Sequence, residues 1–278
     1  MEKLTIKELE DVAVEMRKTA ITMIYTAQSG HPGGSLSAAD IMTSLYFHTM
    51  NINSKNYKSE NRDRFVLSKG HVCPILYSTL ILKNIIPKEE IYKLRKEGSM
   101  LQGHPDMKRC PGIDISTGSL GQGISCAVGM ALSAKLTNKD YYTYTLLGDG
   151  ECNEGQVWEA AQTASKYDLD NLVVIVDNNN LQNDGSADEI MPTRDLKAKF
   201  NAFGFETLEV NGHKIEEIVT ALDHFKSNKD GHPKALICKT IKGKGVSFME
   251  NIPSWHGVAP NDQEYEIAMK ELKGDKDE

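Results

Sequence analysis

The chain has 278 residues, 40% hydrophobic and 26% charged, a balance that sustains a folded core and argues against a disordered or fibrous protein. Its formal net charge of -7 comes with no basic stripe for tracking nucleic acid, so any anionic ligand has to be held locally, by backbone amides, histidines or a bridging cation. The five cysteines are scattered without a CxxC pair, and neither a signal-peptide run nor a stretch approaching the ~20 apolar residues of a membrane span is present, so a cytoplasmic protein that binds neither nucleic acid nor membrane is expected.

Ile6, Leu9, Val12, Ala13, Met16, Ala20 and Ile24 recur at helical spacing and predict a long amphipathic helix ending near Gly30. A Gly-rich turn, His31-Pro32-Gly33-Gly34-Ser35, follows. Ser37 can cap a second helix running to Met50, and the polar stretch 51–63 reads as a loop. Short apolar runs at 65–67, 144–147, 172–176 and 235–238 have the character of buried parallel strands, with helical patterns at 122–136 and 154–166 between them. This order predicts an α/β fold, a parallel sheet sandwiched by helices on both faces, with ligands beyond the carboxyl ends of the strands. No repeat or linker divides the chain, so a single domain over 1–278 is expected, closing in a charged stretch, 263–278, that holds a short helix and a frayed end.

The sharpest chemical signal is Gly148-Asp149-Gly150 after one strand and Asp177-Asn178-Asn179-Asn180 after the next, with a helical run between. A right-handed crossover brings Asp149 and Asn179 together at one sheet edge. A carboxylate and an amide carbonyl are hard oxygen ligands without a full cage, which suits Mg2+ held partly by a diphosphate, while Gly150 allows close backbone approach. Taken singly, each of the two segments also reads as ordinary turn chemistry.

Together they match the fingerprint of thiamine diphosphate enzymes, and further segments make the chain resemble transketolases in particular. These are Ser29-Gly30-His31-Pro32-Gly33, Arg64-Phe65-Val66-Leu67-Ser68-Lys69-Gly70-His71, Gly103-His104-Pro105, Thr117-Gly118-Ser119-Leu120-Gly121-Gln122-Gly123, and Lys239-Thr240-Ile241-Lys242-Gly243-Lys244-Gly245 followed by Trp255-His256-Gly257. The resemblance runs in order over nearly the whole chain. It implies that Asp149, Asn179 and the backbone carbonyl of Leu181 ligate Mg2+, and that Gly150, Asn179, His71 and His256 contact the diphosphate. It also implies that Gly118, Ser119 and Leu120 meet the aminopyrimidine, and that His31, His104 and His256 surround the reacting oxygens of a sugar. Glu154 and Glu159 match acids that relay protons at a subunit contact; as acids at a helix start they also have a plain macrodipole explanation.

The implied activity is transfer of a two-carbon ketol unit from a ketose phosphate to an aldose phosphate in pentose phosphate metabolism. Full-length transketolases carry three domains, and this chain resembles only the first. The resemblance therefore implies a split enzyme, in which a C-terminal subunit supplies the pyrimidine-binding domain with its essential Glu and two such pairs form a heterotetramer. Alternatives are a 1-deoxyxylulose-5-phosphate synthase-like enzyme, which shares the Gly-Asp-Gly arrangement, and a non-catalytic subunit that stores or senses thiamine diphosphate. No complete dinucleotide fingerprint, phosphate loop or HExxH helix competes, which leaves a zinc hydrolase poorly motivated.

Overall fold

The computed structural model describes residues 3–182 and 185–274. Helix α1 (Ile6–Ala27) begins at a capping box, in which the Thr5 hydroxyl accepts the Glu8 amide while the Glu8 carboxylate accepts the Thr5 amide, and ends where Gln28 turns left-handed. The segment expected to be a Gly-rich turn is instead a short buried helix, α2 (Pro32–Ser37), with Pro in its first turn. Ser37 consequently does not cap the next helix. Its hydroxyl bonds the Gly34 carbonyl and the Asp177 carboxylate, and α3 (Ala39–Ser44) starts without a side-chain cap before passing into a π turn, Leu45–Thr49. The stretch 51–63 is a loop, as expected.

Five strands, β1 (Arg64–Leu67), β2 (Thr143–Gly148), β3 (Leu172–Asn178), β4 (Glu206–Asn211) and β5 (Lys234–Lys239), form one all-parallel sheet in the order β1-β2-β3-β5-β4. The four expected strands are present, and β4 is the addition. Along the four expected strands side chains alternate between two apolar layers. Phe65, Leu67, Leu146, Ile175 and Leu236 meet α1, α3, α4 (Cys73–Leu82) and, beyond β4 in the chain, α9 (Ile215–Ser227). Val66, Leu147, Val174, Val176 and Ile237 meet α5 (Gly123–Leu136), α6 (Gly155–Lys166) and α8 (Leu196–Ala202), which follows the one-turn α7 (Ala187–Ile190). Each such aliphatic side chain contributes about 1.5–3 kcal/mol by leaving water, so this two-sided burial is what fixes the sheet. The parallel sheet with helices on both faces is thus as expected.

α10 (Asp262–Glu271) fills much of the charged C-terminal stretch behind a capping box at Asn261, while the expected frayed end, 275–278, lies outside the described residues. Behind the sheet's carboxyl edge, Arg17 of α1 forms two bonds to the Asp40 carboxylate, at 3.1 and 2.5 Å. His213 Nε2 accepts the Ile241 amide at 2.7 Å, which leaves the proton on Nδ1 to be donated to Asp40 at 2.8 Å. Among the described residues no helix is long and apolar enough to cross a membrane.

Candidate active site

The strand register decides where the motifs go. Leu67 pairs with Leu146, Gly148 with Asp177 and Asp177 with Cys238, so the turns after β1, β2, β3 and β5 open on one edge. Asp149, expected beside Asn179, makes its bond to the Asn-rich turn at the next residue: Asp149 Oδ1 accepts the Gly150 amide at 2.7 Å and Oδ2 accepts the Asn180 amide at 2.5 Å. Asn179 Oδ1 accepts the Leu181 amide at 3.1 Å, and Leu181 shows its carbonyl to the Lys242 ammonium at 3.3 Å. Asp149 is buried. Burial pushes its carboxyl up to about 6, with the Asp177 charge adding to the rise and the Gly150 and Asn180 amides only partly offsetting it. Asp177 differs. Burial acts to raise it too, yet Lys69, Ser37 and Thr240 all donate to it and hold it below the ordinary value.

Facing these turns, the rings of His31, His71 and His256 form a triangle with centroids 5.0, 5.3 and 5.4 Å apart. His31 enters at the start of α2, His71 from the one-turn helix after β1 and His256 from a 3-10 turn, Pro253–His256. Burial, with the Lys69 charge and the neighbouring histidines, lowers His71 to about 2; burial, with Arg95, His104 and Lys242, lowers His31 to about 4. Both are therefore neutral imidazoles near pH 7, each able to donate from one nitrogen and accept at the other. Among the described residues the Nδ1 atom of His31 is buried without a hydrogen-bond partner, which is the condition of a group awaiting a ligand.

His104 is exposed at the rim, its main chain tied by the Tyr77 hydroxyl, which donates to the carbonyls of Gln102 and His104. Gly118 lies directly against its ring, since a Cβ there would sit 3.3 Å from the imidazole. Ser119 and Leu120 continue this loop as exposed residues. Glu154 stands just before α6 and packs on Gly121, where a Cβ would come within 2.7 Å of it, and Glu159 is exposed further along that helix. Glu154 thus lies on the flank of the Gly118–Leu120 loop, and neither glutamate is among the described contacts of the histidine triangle.

The donor set can be tested against the implied cofactors. Among the described residues no group of three or more His, Cys, Asp or Glu could hold a metal ion. A cation at this edge would rest on the Asp149 carboxylate, the Asn179 amide oxygen and the Leu181 carbonyl, a set that fits Mg2+ completed by phosphate oxygens. A buried, poorly compensated Asp149 fits that assignment. Residues 9–277 match the family described as transketolase, thiamine diphosphate binding domain.

The chain belongs to the transketolase family. It is 43% identical over 272 residues to one subunit of the apulose-4-phosphate transketolase of Phocaeicola vulgatus, covering 97% of this chain and 95% of that one. It is 42% identical over 266 residues to the 6-deoxy-6-sulfo-D-fructose transketolase subunit SqwG of Clostridium sp. (strain MSTE9), covering 96% of each. The crystal structure of transketolase from Campylobacter jejuni superposes with a TM-score of 0.91 at 35% identity, over 97% of this chain and 43% of that one. The chain therefore spans the length of the two subunits and less than half of the full-length transketolase, and it is the thiamine diphosphate-binding, N-terminal domain of the family.

Three buried residues in this transketolase site were not singled out by the sequence: Lys242, Lys69 and Glu151. Lys242 Nζ reaches the carbonyls of Leu181 and Gln182 and lies 2.9 Å from His256 Nδ1. Burial lowers it to about 8, Asp149 working against the drop. Lys69 is paired with Asp177. Lys69 and Lys242 stand inside motif segments and Glu151 directly follows one, but a lone Lys or Glu carries no spacing rule that would mark it.

Proposed function

We propose that this chain is the thiamine diphosphate- and Mg2+-binding subunit of a two-chain transketolase. In this reading residues 1–278 form the single cofactor-binding domain, and a partner subunit supplies the pyrimidine-binding domain with its Glu and the C-terminal domain. Subunit-length relatives named as transketolase subunits support the split. The assembly is a heterotetramer working on sugar phosphates, in pentose phosphate metabolism. Five free cysteines, four of them buried, support a reducing, cytoplasmic setting.

The observation that carries the reading is the Asp149 carboxylate bonded across to the Asn180 amide, opposite three converging imidazoles. Asp149, Asn179 and the Leu181 carbonyl would hold Mg2+, while Gly150, Asn179, His71, His256 and Lys242 would face the diphosphate, giving an acidic chain a local means of binding an anion. Gly118, Ser119 and Leu120 would lie along the aminopyrimidine. When bound, thiamine diphosphate supplies the electron sink for carbon-carbon cleavage. His31, His104 and His256 would donate hydrogen bonds to sugar oxygens and move protons there, the lowered His31 being a neutral donor and acceptor. Glu154, exposed beside that loop, and Glu159, exposed further along α6, would meet the partner subunit.

The test is ketol transfer by this chain alone and with the partner subunit, both with Mg2+ and thiamine diphosphate. Activity only in the mixture is expected, and vigorous transfer by the isolated chain would refute the split. Replacing His256 with Ala should lower kcat by about a hundredfold with an unchanged melting temperature; a wild-type rate would remove His256 from the site.

A further inference from the structure

Glu151, two residues beyond Asp149, is almost fully buried at 3% exposure, and its carboxylate bonds two other segments and the start of its own turn. Oε1 accepts the Ser68 hydroxyl at 2.5 Å and the Gly121 amide at 2.9 Å, while Oε2 accepts the Gly148 amide at 3.1 Å. Each donor adjoins a residue facing the cofactor site. Ser68 leads into Lys69 and His71, Gly121 follows Leu120, and Gly148 precedes Asp149.

We propose that Glu151 is a positioning residue that sets the mutual register of the three turns bearing His71, Gly118–Leu120 and Asp149. The proposal rests on the reading that these turns bind thiamine diphosphate, but its structural half does not need the cofactor. Three arguments support it. One backbone amide points at each carboxylate oxygen, and a backbone amide can only donate, so a carboxylate, with lone pairs on both oxygens, satisfies both along with the Ser68 hydroxyl, where an amide would set an NH2 group against an N–H. The turns also touch closely: a Cβ on Gly123 would lie 2.6 Å from the Ser68 hydroxyl and 2.7 Å from its Cα, and one on Gly70 would lie 2.8 Å from the Thr117 hydroxyl and 3.0 Å from the Gly118 amide nitrogen. Finally Gly121 holds φ +78, and its amide is aimed at Glu151 by a backbone that other residues adopt only with strain. A uniformly stabilising buried acid would also raise the melting temperature, so stability alone does not identify the role.

Amide hydrogen exchange on the full chain, without Mg2+ or cofactor, tests the first half. Glu151→Gln should speed exchange by about ten- to a hundredfold at whichever of Gly121 and Gly148 faces the new NH2 group, as expected for an unpaired buried donor, and leave Val174 and Val176 in the sheet core as protected as before. In the enzyme assembled with its partner subunit, the thiamine diphosphate concentration for half-maximal activity should rise at least about tenfold, with kcat at saturation within about twofold. Unchanged exchange at Gly121 and Gly148, or a lowered melting temperature with unchanged half-saturation, would overturn the proposal. Should Glu151→Gln not fold, Ser68→Ala removes one donor only and should raise half-saturation about threefold with Gly121 still protected; no change in half-saturation would be equally fatal. Asp149→Asn separates the two ideas. If it leaves cofactor use intact the binding-site reading fails, whereas loss of binding in Asp149→Asn with wild-type behaviour in Glu151→Gln defeats only the role of Glu151.

Discussion

Two buried acids in this molecule lead opposite lives. Behind the sheet edge, Asp40 meets two Arg17 nitrogens and the His213 ring, and Arg17 holds its carboxyl low although burial alone would raise it. At the front edge, Asp149 has two backbone amides and, among the described residues, no ion pair of its own, and burial carries it up to about 6. Interior charge that serves architecture is matched within the chain. Buried polar groups left unmatched among the described residues, the Asp149 carboxylate without an ion partner and the neutral His31 ring at Nδ1, mark where something else is to bind.

The largest effect should come from attacking the matched side. Asp40→Ala strands the Arg17 guanidinium and is expected to cost about 3–5 kcal/mol in urea denaturation, whereas Asp149→Asn, which trades one backbone bond for relief of a buried charge, should change stability by less than about 1 kcal/mol yet abolish Mg2+-dependent thiamine diphosphate binding. Equal destabilisation by the two would erase the contrast. A smaller effect is expected at Tyr77, whose hydroxyl ties the main chain beneath His104. Tyr77→Phe should cost about 1 kcal/mol and lower kcat several-fold with little change in cofactor half-saturation, since the change slackens the rim and spares the diphosphate end. Loss of cofactor affinity instead would mean that rim and floor move together.

The subtlest effect is protonation. The depressed values of His31 and His71 favour the folded state fully above the ordinary value of 6.5, and this contribution fades as pH falls toward about 4 for His31 and about 2 for His71. Asp149 works the other way, because its raised value relieves the folded state as pH drops below about 6. Denaturation would blur the two, so the measurement is imidazole NMR on the cofactor-free chain. His31 should titrate near 4 and His71 should stay neutral at pH 5; a His31 midpoint near 6.5 would show that water hydrates the triangle.

The inner strands were legible because burial on both faces leaves unbroken apolar runs such as Leu172 to Val176. β4 was not, because this edge strand buries Thr207 and only part of Leu208 and Val210, and places Glu206 and Glu209 among them. α2 read as a turn because Pro32, Gly33 and Gly34 have poor helix propensity. The helix forms because nothing larger fits: a Cβ on Gly34 would lie 2.7 Å from Val72, and one on Gly33 3.0 Å from Lys242 and the Trp255 carbonyl. The Asp149 turn and the four histidines came from motif spacing and resemblance. Lys242 and Glu151 owe their positions to tertiary contacts, which no local pattern records.

The two outermost strands have a consequence for growth of the molecule. β1 is only four residues long, and β4 places Glu206 and Glu209 along the other margin, Glu209 paired with Lys239. Short or charged margins resist the addition of a further strand, so this sheet is a finished object. A companion polypeptide is therefore expected to grip helices and loops in preference to lengthening this ribbon.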